Sequence, residues 1–340
     1  MRRRIARFPV LFALLLPAAV LHAPEGHPPS ALAAMHPTSS LSPALYPWLP
    51  ARSHSGHPSA TMPSAPFRAL ALRIPPPPGY RRILLSSSSF GTWLRGLPLR
   101  DGNPDVRLYD GTLKPFQTAH YAVLDLDVGG KDLQQCADSI IRLRAEYLRS
   151  LGCDDGIAFD FTSGDSASWS RWRSGERPAV TPEGRVTWQT LDRPDATYEN
   201  FRRYLDVVFS YAGSVSLSRE MDPVADPSRV IPGDVFIEGG FPGHAVIVMD
   251  VAMNEAGDRV FLLAQGFTPA QDMHILRNNG EDISPWYRAK SEGKLLTPEW
   301  HSRFETMHRF PPASCEERFQ MAGVIPGAMG YGGGLSLQSR

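Results

Sequence analysis

Between Val235 and Gln265 the chain writes one pattern three times. Val235 to Glu238, Ala245 to Val251 and Val260 to Gln265 are short aliphatic runs rich in β-branched residues, each bounded by glycine or polar punctuation. The last two are joined by Asn254-Glu255-Ala256-Gly257-Asp258, a turn-forming segment that predicts a hairpin. Upstream, Tyr121 to Val128 alternates like a strand. Lys131 to Leu151 then carries Leu133, Cys136, Ala137, Ile140, Ile141, Leu148 and Leu151 at helical spacing, with Asp132 as the expected N-cap and Gly152 as the expected stop. A second helix is expected over Tyr198 to Phe209 and a short strand over Ile157 to Phe161. Helices followed by an antiparallel sheet predict an α+β domain in which the amphipathic helix packs on the sheet.

The flanks have another character. Met1-Arg2-Arg3-Arg4 precedes an apolar stretch from Phe8 to Val20, which is too short to span a bilayer comfortably and has the charge and length of a signal peptide. Cleavage is expected at Ala23, or as late as Ala33, so residues 1–23 are assigned to the signal. The expected location is outside the cytoplasm, periplasmic or extracellular, with no membrane span after signal removal. Residues 24–66 hold ten of the 32 prolines, with serine, alanine and histidine and almost no aliphatic periodicity. Such a segment buries too little to offset chain entropy and is expected to be a disordered linker. A single α+β domain is expected over 67–312, followed by a flexible Gly-rich tail over 313–340.

Composition narrows the partners. Lys+Arg 35 balance Asp+Glu 35, so no basic footprint points to nucleic acid. Hydrophobic residues at 42% are enough for one large core.

The three cysteines are Cys136, Cys153 and Cys315, an odd number for an exported chain. A helix from Asp132 to Leu151 would separate Cys136 from Cys153 by roughly 20 Å at about 1.5 Å per residue. A disulfide needs Cα atoms within about 7 Å. The expected pair is therefore Cys153 with Cys315, leaving Cys136 free. With Asp132 as cap, Cys136 falls near the fourth helical position, still close to the positive end of the dipole, which lowers a thiol pKa. It also lies on the apolar face. A buried core cysteine and a nucleophile facing a sheet both need that face, so both readings stand.

Pro232-Gly233-Asp234-Val235 leads through Gly239-Gly240-Phe241-Pro242-Gly243 into His244-Ala245-Val246-Ile247. A histidine at the first residue of a strand presents its imidazole at the sheet end while its backbone is anchored, as a general base requires. If the hairpin sets Gln265 opposite Val246, Gln265 lies diagonal to His244 on the same face, where its amide could accept the ring N–H. A one-residue slip would turn Gln265 to the other face. Trp169 and Trp172 in the polar run Ser163 to Trp172, and Trp286 with Tyr287, could form an apolar platform for a sugar or peptide, or anchor loops by packing. His120 could join His244 in a metal site with Asp125, Asp127 or His274, but no close ligand pair occurs, and no metal or other cofactor is expected. Nor is there a G-x-S-x-G elbow, a P-loop or a supported dinucleotide fingerprint.

The order cysteine on a helix, histidine at a strand start and polar residue on the next strand resembles papain-like thiol hydrolases, especially the NlpC/P60 cell-wall peptidases. That resemblance implies a papain-like core, with Cys136 as nucleophile, His244 as base and Gln265 as the residue orienting it. Gln134 and Gln135 stand before Cys136 where that family has small or aromatic neighbours; either could donate to an oxyanion or face solvent. A longer resemblance covers nearly the whole domain. Ala119-His120-Tyr121-Ala122-Val123-Leu124-Asp125, Asp132-Leu133-Gln134-Gln135-Cys136-Ala137-Asp138, Phe209-Ser210-Tyr211-Ala212-Gly213, Gly243-His244-Ala245-Val246 and Leu263-Ala264-Gln265 are similar to the bacterial family catalogued as domain of unknown function 4846. So are Ile283-Ser284-Pro285-Trp286-Tyr287 and Thr297-Pro298-Glu299-Trp300. The expectation is an exported thiol-dependent amidase or peptidase acting on cell-wall peptide or glycan. The rival expectation is a non-catalytic cell-envelope binding domain, with Cys136 buried and the Trp-rich loop as its contact surface.

Overall fold

Antiparallel ladders gather most strands into one sheet in an α+β arrangement. The computed structural model describes residues 45–49 and 69–316. The expected signal peptide, most of the expected linker and residues 317–340 lie outside the described residues. In space the strands run His120–Val123, His274–Leu276, Arg259–Gln265, His244–Met253, Val235–Glu238, Met307–Arg309 and Asp222–Pro223. Every neighbouring pair is antiparallel.

The central strands carry apolar residues on both faces because both faces of the sheet are covered. Ala245, Ile247 and Met249 join a cluster with Ala137, Ile140, Phe201 and Tyr204. Val246 and Val248 pack instead with Phe236, Phe261, Phe304 and Leu295. Each fully buried aliphatic or phenyl side chain contributes about 1.5–3 kcal/mol. The helix Cys136–Ser150 lies on the first face, against the strand His244–Met253.

The central hairpin changes register once. Leu262 pairs with Asp250 but Leu263 pairs with Val248, so Met249 is the extra residue of a β-bulge. Asp250, fully buried at the bulge, is held by Arg82 Nε at 2.5 Å and Arg95 Nε at 2.6 Å. Beyond the bulge Ala264 pairs with Ile247, and continuing that register sets Gln265 opposite Val246.

Three expected boundaries are corrected. The amphipathic helix begins at Cys136, not near Asp132. Asp132 Oδ1 instead accepts from the Ala270 N–H at 2.6 Å and from Gln135 Nε2 at 3.1 Å, which commits it to a loop rather than a cap. Within the expected linker, residues 45–49 pack on the domain. Tyr46 is buried and its hydroxyl donates to the Trp93 carbonyl at 3.1 Å, while Trp48 Nε1 donates to the Asp125 carbonyl at 2.8 Å. Tyr46 and Trp48 anchor this short segment on the domain. At the other end the domain continues past 312, because Cys315 is bonded to Cys153 with Cα atoms 5.9 Å apart and Glu316 pairs with Arg144. Cys136 remains the free cysteine.

Candidate active site

Gln135 is the N-cap of the helix Cys136–Ser150, and its N–H donates to Asp138 Oδ2 at 3.1 Å. Cys136 is thus the first helical residue, nearer the positive end of the dipole than its sequence spacing predicts. A glycine makes this approach possible. A Cβ on Gly266 would lie 2.3 Å from Ser139 Oγ and 2.6 Å from the Gln135 carbonyl, so the helix start and the end of the strand Arg259–Gln265 touch only because residue 266 has no side chain.

Strand geometry orients the backbone near the thiol. The Val248 N–H donates to the Asp234 carbonyl, and the Val248 carbonyl accepts from Gly233, so Val248 points its backbone groups toward the strand Val235–Glu238. By alternation Ala245 points its N–H the other way, toward the Gln265 strand. That strand ends at Gln265, and Gly266 lies against the helix. The nearby N–H groups of Ala137 and Ala245 pull the Cys136 thiol down, against the larger effect of burial.

The His244 ring projects from the second face, beside Phe236 and Val246, with the rings of Phe267 and Trp300 at 5.0 and 5.2 Å. Its Nε2 is 2.9 Å from Gln265 Oε1. The other end of that amide settles the tautomer. Gln265 Nε2 donates to Glu299 Oε2 at 2.7 Å, which a carboxylate can only accept, so Oε1 must face His244. His244 therefore donates from Nε2, and Nδ1 carries the lone pair. Glu299 is itself held by Lys114 Nζ at 2.5 Å. Burial pushes the Glu299 carboxyl up, but its contacts with His274 and Lys114 outweigh burial and leave it below the usual carboxylate range.

The resting pair is un-ionised. Burial pushes the Cys136 thiol up, with the nearby Asp138 adding to the effect, and burial drives His244 down to about 4 against the opposing hydrogen bond that the ring donates to Gln265. Among the described residues no hydrogen bond joins the thiol to the imidazole. Asp138 is pushed up to about 8 by burial, against the bond from the Gln135 N–H, and its Oδ1 has no partner.

The four aromatic side chains expected to bind substrate do not form a platform. Trp169 is fully buried, 5.3 Å from the Phe201 ring and 5.7 Å from that of Tyr204. Trp172 Nε1 donates to Asn200 Oδ1 at 2.9 Å, and Trp286 Nε1 donates to the Pro75 carbonyl at 3.0 Å. Tyr287 is buried as well, its hydroxyl donating to the Arg277 carbonyl. All four are buried, Trp169 and Trp172 in the short helix Trp169–Arg173 and Tyr287 in the strand Tyr287–Arg288. Phe241, in the turn leading to His244, is the exposed aromatic near the site, at 87%. Of the two glutamines before Cys136, Gln135 is tied to Asp132 and Thr268, and Gln134 is buried with its Oε1 accepting from Arg142 Nη1 at 2.7 Å. His120 stands 6.2 Å from the His274 ring, and among the described residues no three His, Cys, Asp or Glu side chains come together as a ligand set. Sequence reasoning missed Lys114, Asp138 and Glu299. Glu299 was visible only as part of a family run, and Lys114 had no signal.

A family model described as "Domain of unknown function (4846)" matches residues 70–309, which takes in the helix, both central strands and Glu299. No curated protein and no solved structure matches the chain.

Proposed function

The chain belongs to the domain of unknown function 4846 family, whose description names no activity, and we propose from its site that it is an exported thiol-dependent amidase or peptidase acting on cell-wall peptide. One observation carries the reading. The free thiol stands at a helix N-terminus near the backbone of Ala245, the residue after an imidazole whose Nε2 is 2.9 Å from Gln265 Oε1. The arrangement supports a papain-like division of labour.

His244 Nδ1 takes the Sγ proton as the sulfur attacks an amide carbonyl carbon. The Cys136 N–H, which has no acceptor within the helix, and the helix dipole stabilise the oxyanion. The C–N bond breaks as the imidazolium returns the proton to the leaving amine. Water, deprotonated by the same imidazole, then hydrolyses the thioester. Gln265 Oε1 accepts a hydrogen bond from the Nε2–H throughout and keeps the ring from turning. Export is supported by the arginine-led apolar leader and by the Cys153–Cys315 disulfide, which suits an oxidising compartment.

The test compares native, Cys136→Ala and His244→Ala proteins on purified cell-wall fragments. Turnover by the native protein and by neither variant is expected. Equal turnover by Cys136→Ala rejects the nucleophile. A second reading, a non-catalytic envelope-binding domain, is favoured by the low exposure of Cys136, at 9%, but the burial of Trp169 and Trp172 removes the contact surface it relied on. Binding without turnover by any of the three proteins would select it.

A further inference from the structure

We propose that the surface formed by the helices Phe90–Gly96 and Cys136–Ser150 with the Asp125 backbone is a docking site for a Tyr-Pro-Trp peptide segment, and that residues 45–49 are its tethered occupant. The family match begins at residue 70, so the occupant lies outside the sequence that defines the domain. It belongs to no strand or helix. Among the described residues its one backbone–backbone hydrogen bond is internal, from the Leu49 N–H to the Tyr46 carbonyl at 3.1 Å. What joins it to the domain is side chains, as for a bound peptide.

The segment is shaped for docking by its own sequence. The bond from Leu49 to Tyr46 closes a four-residue turn with Pro47 in the second position, where the ring of proline already holds the backbone angle that a turn needs. This turn sets the Tyr46 and Trp48 rings edge to face at 5.5 Å, so both aromatic side chains are presented together and little order is lost on docking. Leu45 and Leu49 on either side pack against the main core.

The domain matches each feature. The Tyr46 hydroxyl donates to the Trp93 carbonyl at 3.1 Å, Trp48 Nε1 donates to the Asp125 carbonyl at 2.8 Å, and Trp93 Nε1 donates to the Leu45 carbonyl at 3.3 Å. The Trp93 ring stands 5.5 Å from that of Tyr46 and 6.1 Å from that of Trp48. The buried Arg142 guanidinium lies 5.6 Å from the Trp48 ring, a cation–π contact that an aliphatic side chain could not make. Gly96 leaves room for the phenol. A Cβ there would collide with Tyr46 Oη while lying 3.5 Å from Cζ, so with a methyl at this position the ring still fits and the hydroxyl does not. Aromatic anchors with their polar tips matched to backbone carbonyls are the means by which grooves recognise proline-containing peptides. The inference goes beyond the thiol chemistry and does not depend on it.

The test supplies the segment in trans. Full-length chain carrying Tyr46→Ala and Trp48→Ala is titrated into fluorescein-labelled Leu-Tyr-Pro-Trp-Leu, and binding is read as anisotropy. The peptide is expected to bind this double variant and to bind the native chain at least about tenfold more weakly, because the tethered copy competes at an effective concentration of about a millimolar. Leu-Phe-Pro-Trp-Leu, which lacks the hydroxyl, should bind the double variant less well than the tyrosine peptide. Adding Gly96→Ala, a change that favours a helix, should reverse that order, so that the phenylalanine peptide binds more tightly. A thermal melt shows which variants fold. A double variant that fails to fold would make residues 45–49 part of the core and overturn the proposal. So would absence of binding to the folded double variant, equal affinity for it and for the native chain, or an order of the two peptides that survives Gly96→Ala. If the Gly96→Ala chain alone does not fold, the comparison of native and double variant decides.

Discussion

Gln265 Oε1 lies 2.9 Å from His244 Nε2 while the same amide donates to Glu299 at 2.7 Å, so a carboxylate two hydrogen bonds from the ring determines which imidazole nitrogen is basic. The consequence is measurable. Gln265→Leu removes the ring's acceptor and is expected to lower kcat by about 10²-fold, the scale of a misdirected general base, with KM little changed. Glu299→Gln should do less, since its amide can still accept from Gln265. Unchanged kcat in Gln265→Leu would show that the imidazole needs no orienting partner.

Asp138 and Cys136 make a pH prediction with a defined window. Burial raises Asp138 to about 8, so its carboxyl is neutral at pH 7 and charged above 8, where it opposes formation of the Cys136 thiolate. Asp138→Asn should therefore leave thiol alkylation unchanged at pH 7 and speed it about three- to tenfold at pH 9. Alkylation rates with iodoacetamide across this range decide the point. A variant that behaves like the native protein at pH 9 would separate the two groups.

The depressed His244 predicts an acid-labile contribution to stability. Its folded value is about 4, below the ordinary 6.5, so between these values the unfolded chain binds a proton that the folded chain refuses. Stability contributed by the neutral ring is complete above pH 6.5 and is lost as pH falls to about 4, by at most about 3 kcal/mol. Denaturant midpoints of native and His244→Gln protein should converge as pH falls from 7 to 4.5. Parallel curves would contradict the burial argument.

Gly266→Ala tests the contact between helix and strand. The new methyl would meet the Gln135 carbonyl at 2.6 Å, and backbone there cannot swing aside. A loss of about 1–3 kcal/mol in stability is expected, with faster alkylation of Cys136 as the helix start moves off the Ala245 N–H. Equal stability would mean that the two segments are not in contact.

Much of this site was legible in the chain before any tertiary contact was known. Runs of period two and period 3.6 are local properties, and they located the helix, the three strands and a histidine at a strand start; helix length alone separated Cys136 from Cys153. What the sequence could not determine was register and arrival. The bulge at Met249 decides that Gln265 shares the face of His244, because a slip of one residue reverses a strand's faces without altering its apolar pattern. Glu299 and Lys114 reach the site from remote parts of the chain, and Trp169 and Trp172 turn inward because a helix packs over them. Periodicity is written residue by residue; which surfaces meet is decided only when the whole chain closes around its core.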